Sequence, residues 1–367
     1  MSKKRILISS GGTAGHVYPT LEVLRLLQRR RACDILFVGS ARSIEQRVIG
    51  KEFDYISLPV GKLRRYPSLL TIRDGARVIG GVYKAHSIVR SFKPDIVFVK
   101  GGYVSLPITL IARRRKLPLV AHESDVVIGL ANRFAIKAAQ KVCVGFPTRY
   151  YPKEYRKKLV YTGVPIRKGF SQRLKPADRQ LFSLHKSVPV LLITGATQGS
   201  QMLNDICKAI LPPLLGRMQI IHITGSAHEK DFQEIRTKLP RALASYYHVY
   251  GFLEHGMEAA VRCADCVVSR AGSSIAEFAA AGLPMILVPL PFTGGDHQLK
   301  NAEVFTKEGA AITIRQQQLT PQRLLDTINA LLDDPHRMAG LAHQAQLLAV
   351  PEATDNVVRV IEDVLYS

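Results

Sequence analysis

The stretch Ile6-Leu7-Ile8-Ser9-Ser10-Gly11-Gly12-Thr13-Ala14-Gly15-His16 lies a few residues from the start of the chain, and Val17-Tyr18-Pro19-Thr20-Leu21-Glu22-Val23-Leu24-Arg25-Leu26-Leu27 follows it. A short apolar run, a glycine loop and a segment with apolar residues at helical spacing predict strand, turn and helix, the helical pattern running from Pro19. That arrangement presents backbone N–H groups and the positive end of a helix dipole to an anion. His16, at the end of the loop, adds a group that moves protons near neutral pH.

The same pattern recurs further on. Val188-Pro189-Val190-Leu191-Leu192-Ile193-Thr194 reads as a buried strand, Gly195-Ala196-Thr197-Gln198-Gly199-Ser200 as its loop, and Met202-Leu203-Asn204-Asp205-Ile206 as the helix start. A chain of 367 residues with two such starts predicts two domains of ordinary size. Either loop taken alone reads equally as a tight strand–helix turn with no ligand, because a fold does not establish a site.

Working outward, the first half predicts strands at Arg5–Ser9, Asp34–Gly39, Tyr55–Val60, Asp95–Val99, Leu117–His122, Lys141–Gly145 and Leu159–Thr162. The second half predicts them at Val188–Thr194, Gln219–Thr224, His248–Phe252, Cys266–Ser269, Met285–Pro289 and Ala311–Ile314. Continuous apolar strands separated by helical stretches indicate parallel sheets covered on both faces. The expected fold class is α/β, with two doubly wound, Rossmann-like domains. Loops rich in chemistry follow the strands: Gly101-Gly102-Tyr103, His122-Glu123-Ser124-Asp125, Arg270-Ala271-Gly272-Ser273-Ser274 and Pro289-Leu290-Pro291-Phe292. Ligands of open α/β sheets bind at that edge, and two such edges facing each other make a cleft.

Residues 1–165 hold 31 Lys+Arg against 10 Asp+Glu, whereas residues 166–367 hold 20 against 19. Nearly the whole excess charge therefore lies in the first half, which calls for a polyanionic partner, nucleic acid or an anionic membrane surface. The chain has no tryptophan, and its tyrosines and phenylalanines are not grouped as base-stacking platforms, so no nucleic acid is expected. Lys62-Leu63-Arg64-Arg65-Tyr66-Pro67-Ser68-Leu69-Leu70-Thr71-Ile72-Arg73 mixes cations with apolar residues, and Val78, Ile79, Val82 and Tyr83 continue the pattern. A basic rim around an apolar contact reads as an element resting on a membrane surface; the alternative is an ordinary amphipathic helix facing the core. No apolar run reaches the roughly 18–20 residues of a membrane span, and the basic start leads straight into the glycine loop rather than into a signal sequence. The five scattered cysteines give no disulfide framework, and Cys263-Ala264-Asp265-Cys266 stands without a second pair, so core thiols are expected rather than a zinc site.

Two nucleotide-binding classes do not fit. A dinucleotide-binding loop wants G-x-G-x-x-G and an acidic residue closing the second strand, which here ends at Val38-Gly39-Ser40. A P-loop wants Gly-Lys-Ser/Thr after the glycines, and neither loop supplies it.

Five motifs occur in a telling order: Gly11–His16 with Val17-Tyr18-Pro19; Gly101-Gly102-Tyr103-Val104-Ser105; His122-Glu123; Ala276-Glu277-Phe278-Ala279-Ala280-Ala281-Gly282-Leu283-Pro284; and Gln298-Leu299-Lys300-Asn301-Ala302. In that order, from about residue 5 to about residue 345, they resemble the MurG family of peptidoglycan glycosyltransferases. The resemblance implies a GT-B fold, with an acceptor and membrane-associating domain at 1–163 and a UDP-GlcNAc-binding domain at 164–350. A C-terminal helix at 351–367 would cross back to the first domain. It implies an inverting transfer of N-acetylglucosamine from UDP-GlcNAc to lipid I, making lipid II, with no cofactor and no metal. It places the enzyme on the cytoplasmic face of the inner membrane, with partners among the cell-wall synthesis proteins and a role in cell shape and division.

The resemblance also assigns residues. His16 is the catalytic base, and Thr13, Ala14 and Gly15 shape the loop near donor sugar and phosphates. Thr197, Gln198 and Arg167 face the phosphates, Leu253 offers backbone groups to uracil, Glu277 holds the ribose and Gln298 reads the sugar hydroxyls. Asp125 lies near the donor sugar. Gly101, Gly102 and Tyr103 belong to the acceptor side, and Arg64, Arg65, Leu69, Leu70 and Arg73 to the membrane side. Three places depart from the family pattern: Ala14 stands where a glycine is usual, Ser124-Asp125 where Gln-Asn is usual, and Val164 where an asparagine precedes Pro165. The stretch from Arg270 to Glu277 is also one residue short. A diacylglycerol glycosyltransferase shares the fold and the second-domain motifs, and a nucleotide-sugar-binding protein without turnover shares the loops; both remain alternatives.

Overall fold

The computed structural model describes residues 3–30, 33–59, 69–172, 174–195, 199–291 and 295–367, with side chains of 69–78 left aside. Arg64, Arg65, Thr197 and Gln198 lie outside the described residues. The chain divides into two compact units, Met1–Arg167 with Glu352–Ser367, and Lys168–Pro351.

The first unit is built on seven parallel strands: β1 (Lys4–Ser9), β2 (Cys33–Ser40), β3 (Asp54–Leu58), β4 (Ile96–Val99), β5 (Leu119–Glu123), β6 (Lys141–Val144) and β7 (Leu159–Tyr161), in the order β3-β2-β1-β4-β5-β6-β7. Helices α1 (Ala14–Arg30), α2 (Ile44–Val48), α3 (Leu69–Phe92), α4 (Ser105–Arg114) and α5 (Leu130–Ala138) connect them. The order reverses between β1 and β4, which lie side by side with Ile6 opposite Ile96 and Ser9 opposite Val99. The loops leaving these two strands run to opposite sides and open a crevice, the usual ligand position in such sheets. The loop Gly11-Gly12-Thr13 leaves β1 and the Gly101–Tyr103 loop leaves β4.

The second unit repeats the plan with six parallel strands: β8 (Val190–Thr194), β9 (Gln219–Ile223), β10 (Tyr247–Tyr250), β11 (Cys266–Ser269), β12 (Met285–Leu287) and β13 (Ala311–Thr313), in the order β10-β9-β8-β11-β12-β13. Its helices are α6 (Pro176–Leu181), α7 (Gln201–Leu215), α8 (Glu229–Lys238), α9 (Arg241–Ala244), α10 (Met257–Cys263), α11 (Ile275–Ala280), α12 (His297–Lys307), α13 (Pro321–Leu332) and α14 (Pro335–Leu348). Here the reversal falls between β8 and β11. Strands such as Val190-Leu191-Leu192-Ile193-Thr194 are buried along their whole length, because helices cover both faces and leave no solvent side for a polar residue.

The last helix, α15 (Ala353–Tyr366), belongs to the first unit. Its Val357, Val358, Val360 and Ile361 join Leu21, Leu24, Ile96 and Phe98 in one core. Burying such a side chain is worth roughly 1.5–3 kcal/mol. Arg30 at the end of α1 bonds Asp355 and Glu362 across the seam.

Two boundaries differ from the sequence reading. Helix α1 begins at Ala14, five residues before Pro19, so His16 sits in its first turn rather than in the loop. The left-handed Gly12 completes the strand-to-helix turn early enough for Ala14 to start the helix. And β5 runs through His122, the expected last residue of that strand, on to Glu123; the two pair with Cys143 and Val144 and are buried, so Glu123 is a strand residue, not a loop residue.

Candidate active site

The first crevice is assembled around close backbone contacts. Gly102 has φ +81, and a Cβ there would lie 2.3 Å from the Gly11 carbonyl oxygen, so only glycine lets the β4 loop touch the β1 loop. Gly101 lies against the Asn132 amide of α5. Tyr103 follows, 42% exposed. Thr13 and Gly12 are exposed at the head of α1, while Ala14, Gly15 and His16 are half-buried. The His16 amide donates to the Thr13 carbonyl at 3.0 Å. The Thr20 hydroxyl donates to the His16 carbonyl at 2.7 Å and the Ser10 hydroxyl to the same oxygen at 3.4 Å, which steadies the turn carrying the imidazole.

Pro19 lies inside α1. Having no N–H, it cannot serve the carbonyl four residues back, which is that of Gly15. Lys100, at the end of β4, donates to that oxygen at 3.3 Å and to the Ser124 hydroxyl at 2.6 Å. Its side chain is fully buried. Desolvation pulls the ammonium down to about 8, against the opposing pull of Glu123 and Asp125. The Glu123 carboxylate is itself raised, first by burial and then by the Asp125 charge. It accepts from the Asp125 amide at 3.0 Å, the Gly129 amide at 2.8 Å and the Asn132 side-chain amide at 2.9 Å. Those three bonds fix the loop from Ser124 to Gly129. The Tyr151 hydroxyl adds a bond to the Asp125 carbonyl at 3.1 Å. The His122 Nε2 lies 3.0 Å from the Gly163 carbonyl, and burial holds its pKa well below the ordinary value. Arg167, half-buried, stacks over the Tyr18 ring at 5.0 Å.

The second crevice has the same plan with other chemistry. Gly199, at φ +74, would place a Cβ 2.2 Å from the Thr224 carbonyl oxygen, so the loop after β8 also closes on glycine. Ser200 caps α7, accepting from the Leu203 amide at 3.4 Å. Arg270, following β11 and 6% exposed, donates to the Ser200 hydroxyl at 2.7 Å, the Val288 carbonyl at 3.0 Å and the Gln316 side-chain oxygen at 2.8 Å. Burial pushes its guanidinium down to about 10. Glu277 lies in the first turn of α11, half-buried. Gln298 lies in the first turn of α12 and accepts from the Leu290 amide at 2.9 Å, which turns it toward the loop after β12. Glu277 and Gln298 thus arise from the helices behind neighbouring strands. Leu253 lies on the loop after β10, two strands away from β8. Lys100 and Arg270 are the two side chains that sequence reasoning did not assign. Their signal is a cation directly after a short, mostly apolar strand run, Ile96–Val99 and Cys266–Ser269.

Comparison with known proteins places this architecture. A family model described as Glycosyltransferase family 28 N-terminal domain matches residues 6–144, and one described as Glycosyltransferase family 28 C-terminal domain matches residues 190–357. The two domains with parallel sheets and ligand-type loops are those of a GT-B glycosyltransferase. The chain belongs to glycosyltransferase family 28, within its MurG group. It is 35% identical over 368 residues, covering 98% of this chain and 99% of the relative, to the Lachnoclostridium phytofermentans UDP-N-acetylglucosamine--N-acetylmuramyl-(pentapeptide) pyrophosphoryl-undecaprenol N-acetylglucosamine transferase. A protein of the same name from Natranaerobius thermophilus is 30% identical over 98% of this chain and 100% of its own length. The crystal structure of Acinetobacter baumannii MurG matches with a TM-score of 0.74 at 25% identity, over 98% of this chain and 99% of that one.

Proposed function

We propose that this enzyme transfers N-acetylglucosamine from UDP-N-acetylglucosamine to the lipid-linked, pyrophosphoryl N-acetylmuramyl-peptide acceptor, lipid I, giving lipid II. The observation that carries the reading is the pair of switch-point crevices, one holding a histidine in a helix's first turn and the other a buried arginine beside a capped helix. An acceptor hydroxyl attacks the anomeric carbon, the new glycosidic bond forms as the bond to UDP breaks, and configuration inverts. His16 takes the hydroxyl proton, and UDP leaves with the bonding electrons. The head of α1, with Thr13, Ala14 and Gly15, and that of α7, capped by Ser200, offer N–H groups to the growing negative charge, and Arg167 offers a cation. Thr197 and Gln198 keep the phosphate-facing role that the family resemblance implies. Glu277 accepts from the ribose hydroxyls, Gln298 bonds the sugar, Leu253 meets uracil, and Asp125 stands near the donor sugar. Gly101, Gly102 and Tyr103 line the acceptor side.

The first unit rests on an anionic membrane surface in this reading, at the cytoplasmic face. Its charge excess supports this, as do Ile79 at 61% exposure and Tyr83 at 76% on α3. Leu110 on α4 and Leu130 and Phe134 on α5 are exposed as well, on helices packed in succession and carrying Arg113, Arg114, Arg133 and Lys137. Among the described residues no helix is long and apolar enough to cross a membrane. Leu69, Leu70 and Arg73 fall at the start of α3, on the same helix.

The test is UDP release from UDP-N-acetylglucosamine with a lipid I analogue, beside UDP-glucose, UDP-galactose and diacylglycerol. Turnover confined to UDP-N-acetylglucosamine with the lipid I analogue is expected. Turnover with diacylglycerol moves the enzyme to another acceptor class, and none with any pair leaves a binding protein.

A further inference from the structure

We infer that Lys100 is a positioning residue of the transfer reaction: its buried ammonium bridges the Gly15 carbonyl and the Ser124 hydroxyl, and so fixes the turn that carries His16 against the loop that carries Asp125. The inference rests on the reading of His16 as the base.

Three observations converge on it. First, Pro19 removes the N–H that the Gly15 carbonyl would otherwise accept within α1, and the Lys100 Nζ occupies that acceptor from a neighbouring strand. The residue after Gly15 is His16, so the bond anchors the imidazole's own backbone. Second, the same Nζ reaches the Ser124 hydroxyl at 2.6 Å. The three-bond clamp of Glu123 holds the rest of that loop, and Lys100 holds its first residue. Third, the groups facing Lys100 form a charge set: Glu123 at the end of β5, and Asp125 in the loop after it. His122 on β5 feels both Lys100 and His16. A buried ammonium without counter-charges is costly, and here two carboxylates supply them.

The family pattern has Gln-Asn where this chain has Ser124-Asp125. The ammonium gives those two departures one cause. A serine is short enough to let the Lys100 side chain in and accepts a hydrogen bond from it, whereas an aspartate supplies the charge that an asparagine lacks.

The charge set fixes the direction of the pH effects. Removing a buried cation favours the protonated form of titratable groups near it, and removing a neighbouring negative charge does the reverse. The experiment is steady-state UDP release by the full chain, with UDP-N-acetylglucosamine and a lipid I analogue, for Lys100→Met, Asp125→Asn, the double variant and Ser124→Ala. Lys100→Met is expected to lower kcat about 30-fold or more, with the KM for donor within about twofold, since a misplaced base loses rate rather than donor affinity. The acid limb of kcat/KM should move up by about one pH unit, and the added Asp125→Asn should bring it back. Lys100→Met with wild-type kcat and an unmoved limb overturns the inference. So does a lost kcat whose acid limb stays in place, because that is the mark of a mere structural prop. Should Lys100→Met not fold, Ser124→Ala decides: a kcat lowered about fivefold at an unchanged melting temperature supports the bridge, and an unchanged kcat overturns it. Wild-type protein that releases no UDP with any substrate pair refutes the functional reading instead.

Discussion

Both units place one buried cation across the point where strand order reverses, and the two cations keep different company. Lys100 runs from the end of β4 to the first turn of α1, and Arg270 from the end of β11 to the cap of α7. Behind Lys100 stand the carboxylates Glu123 and Asp125, and His122 feels the charge of both Lys100 and His16. Among the described residues, the groups that Arg270 bonds are a carbonyl, a hydroxyl and an amide oxygen, none of which ionises. Beside β8, His222 is held neutral by burial, down to about 3, between Tyr247 and Asn204. The strand order reverses at the corresponding place in both sheets, and what differs is the company each cation keeps, ionisable groups around Lys100 and non-ionising ones around Arg270. In the proposed reading the first unit moves the proton and the second holds the donor.

The sharpest way to break this contrast is His16→Ala. It should lower kcat by about 10²–10⁴-fold, the range of general base catalysis, and leave donor affinity near its wild-type value. Full turnover without the imidazole removes the base from the first unit. Next comes Glu277→Gln in the second unit, expected to raise the KM for UDP-N-acetylglucosamine about tenfold while kcat stays within a few-fold, because a carboxylate hydrogen bond to ribose is worth about 1.5–3 kcal/mol in ground state and transition state alike. A kcat loss equal to that of His16→Ala would show that both units share the chemistry. The smallest effect is expected on the outside of the molecule. Replacing Ile79 and Tyr83 by serine should weaken binding to anionic vesicles roughly fivefold, with binding falling further as salt rises. Unaltered, salt-insensitive binding in a sedimentation assay would take the membrane contact away from α3.

Much of the contrast is legible in the chain and some is not, for a physical reason. The strands among the described residues are legible, since a strand covered on both faces reads as a near-continuous apolar run, as Ile96–Val99 and residues 190–193 do. The glycines touching another backbone, Gly102 and Gly199, announce their loops. Glu123 misleads, because a polar residue after an apolar run looks like a loop. It is a strand residue here because Asn132 and Gly129 satisfy it inside the fold. The roles of Lys100 and Arg270 are not legible, since their partners stand 85 and 70 residues away and become neighbours only through the strand order. The tail is similar: Val357, Val358 and Ile361 declare an apolar face, and nothing in a periodic pattern says which core receives it.

That tail has a consequence for how the molecule is made. Helix α15 supplies Val357, Val358, Val360 and Ile361 to the core of a unit whose other residues end at Arg167. On a ribosome, the segment Lys168–Pro351 is complete before that core can close. Domains usually finish in the order of synthesis, yet here the second unit is the first to have all of its residues, and the first waits, its apolar α1 surface unsealed, for the last helix to emerge.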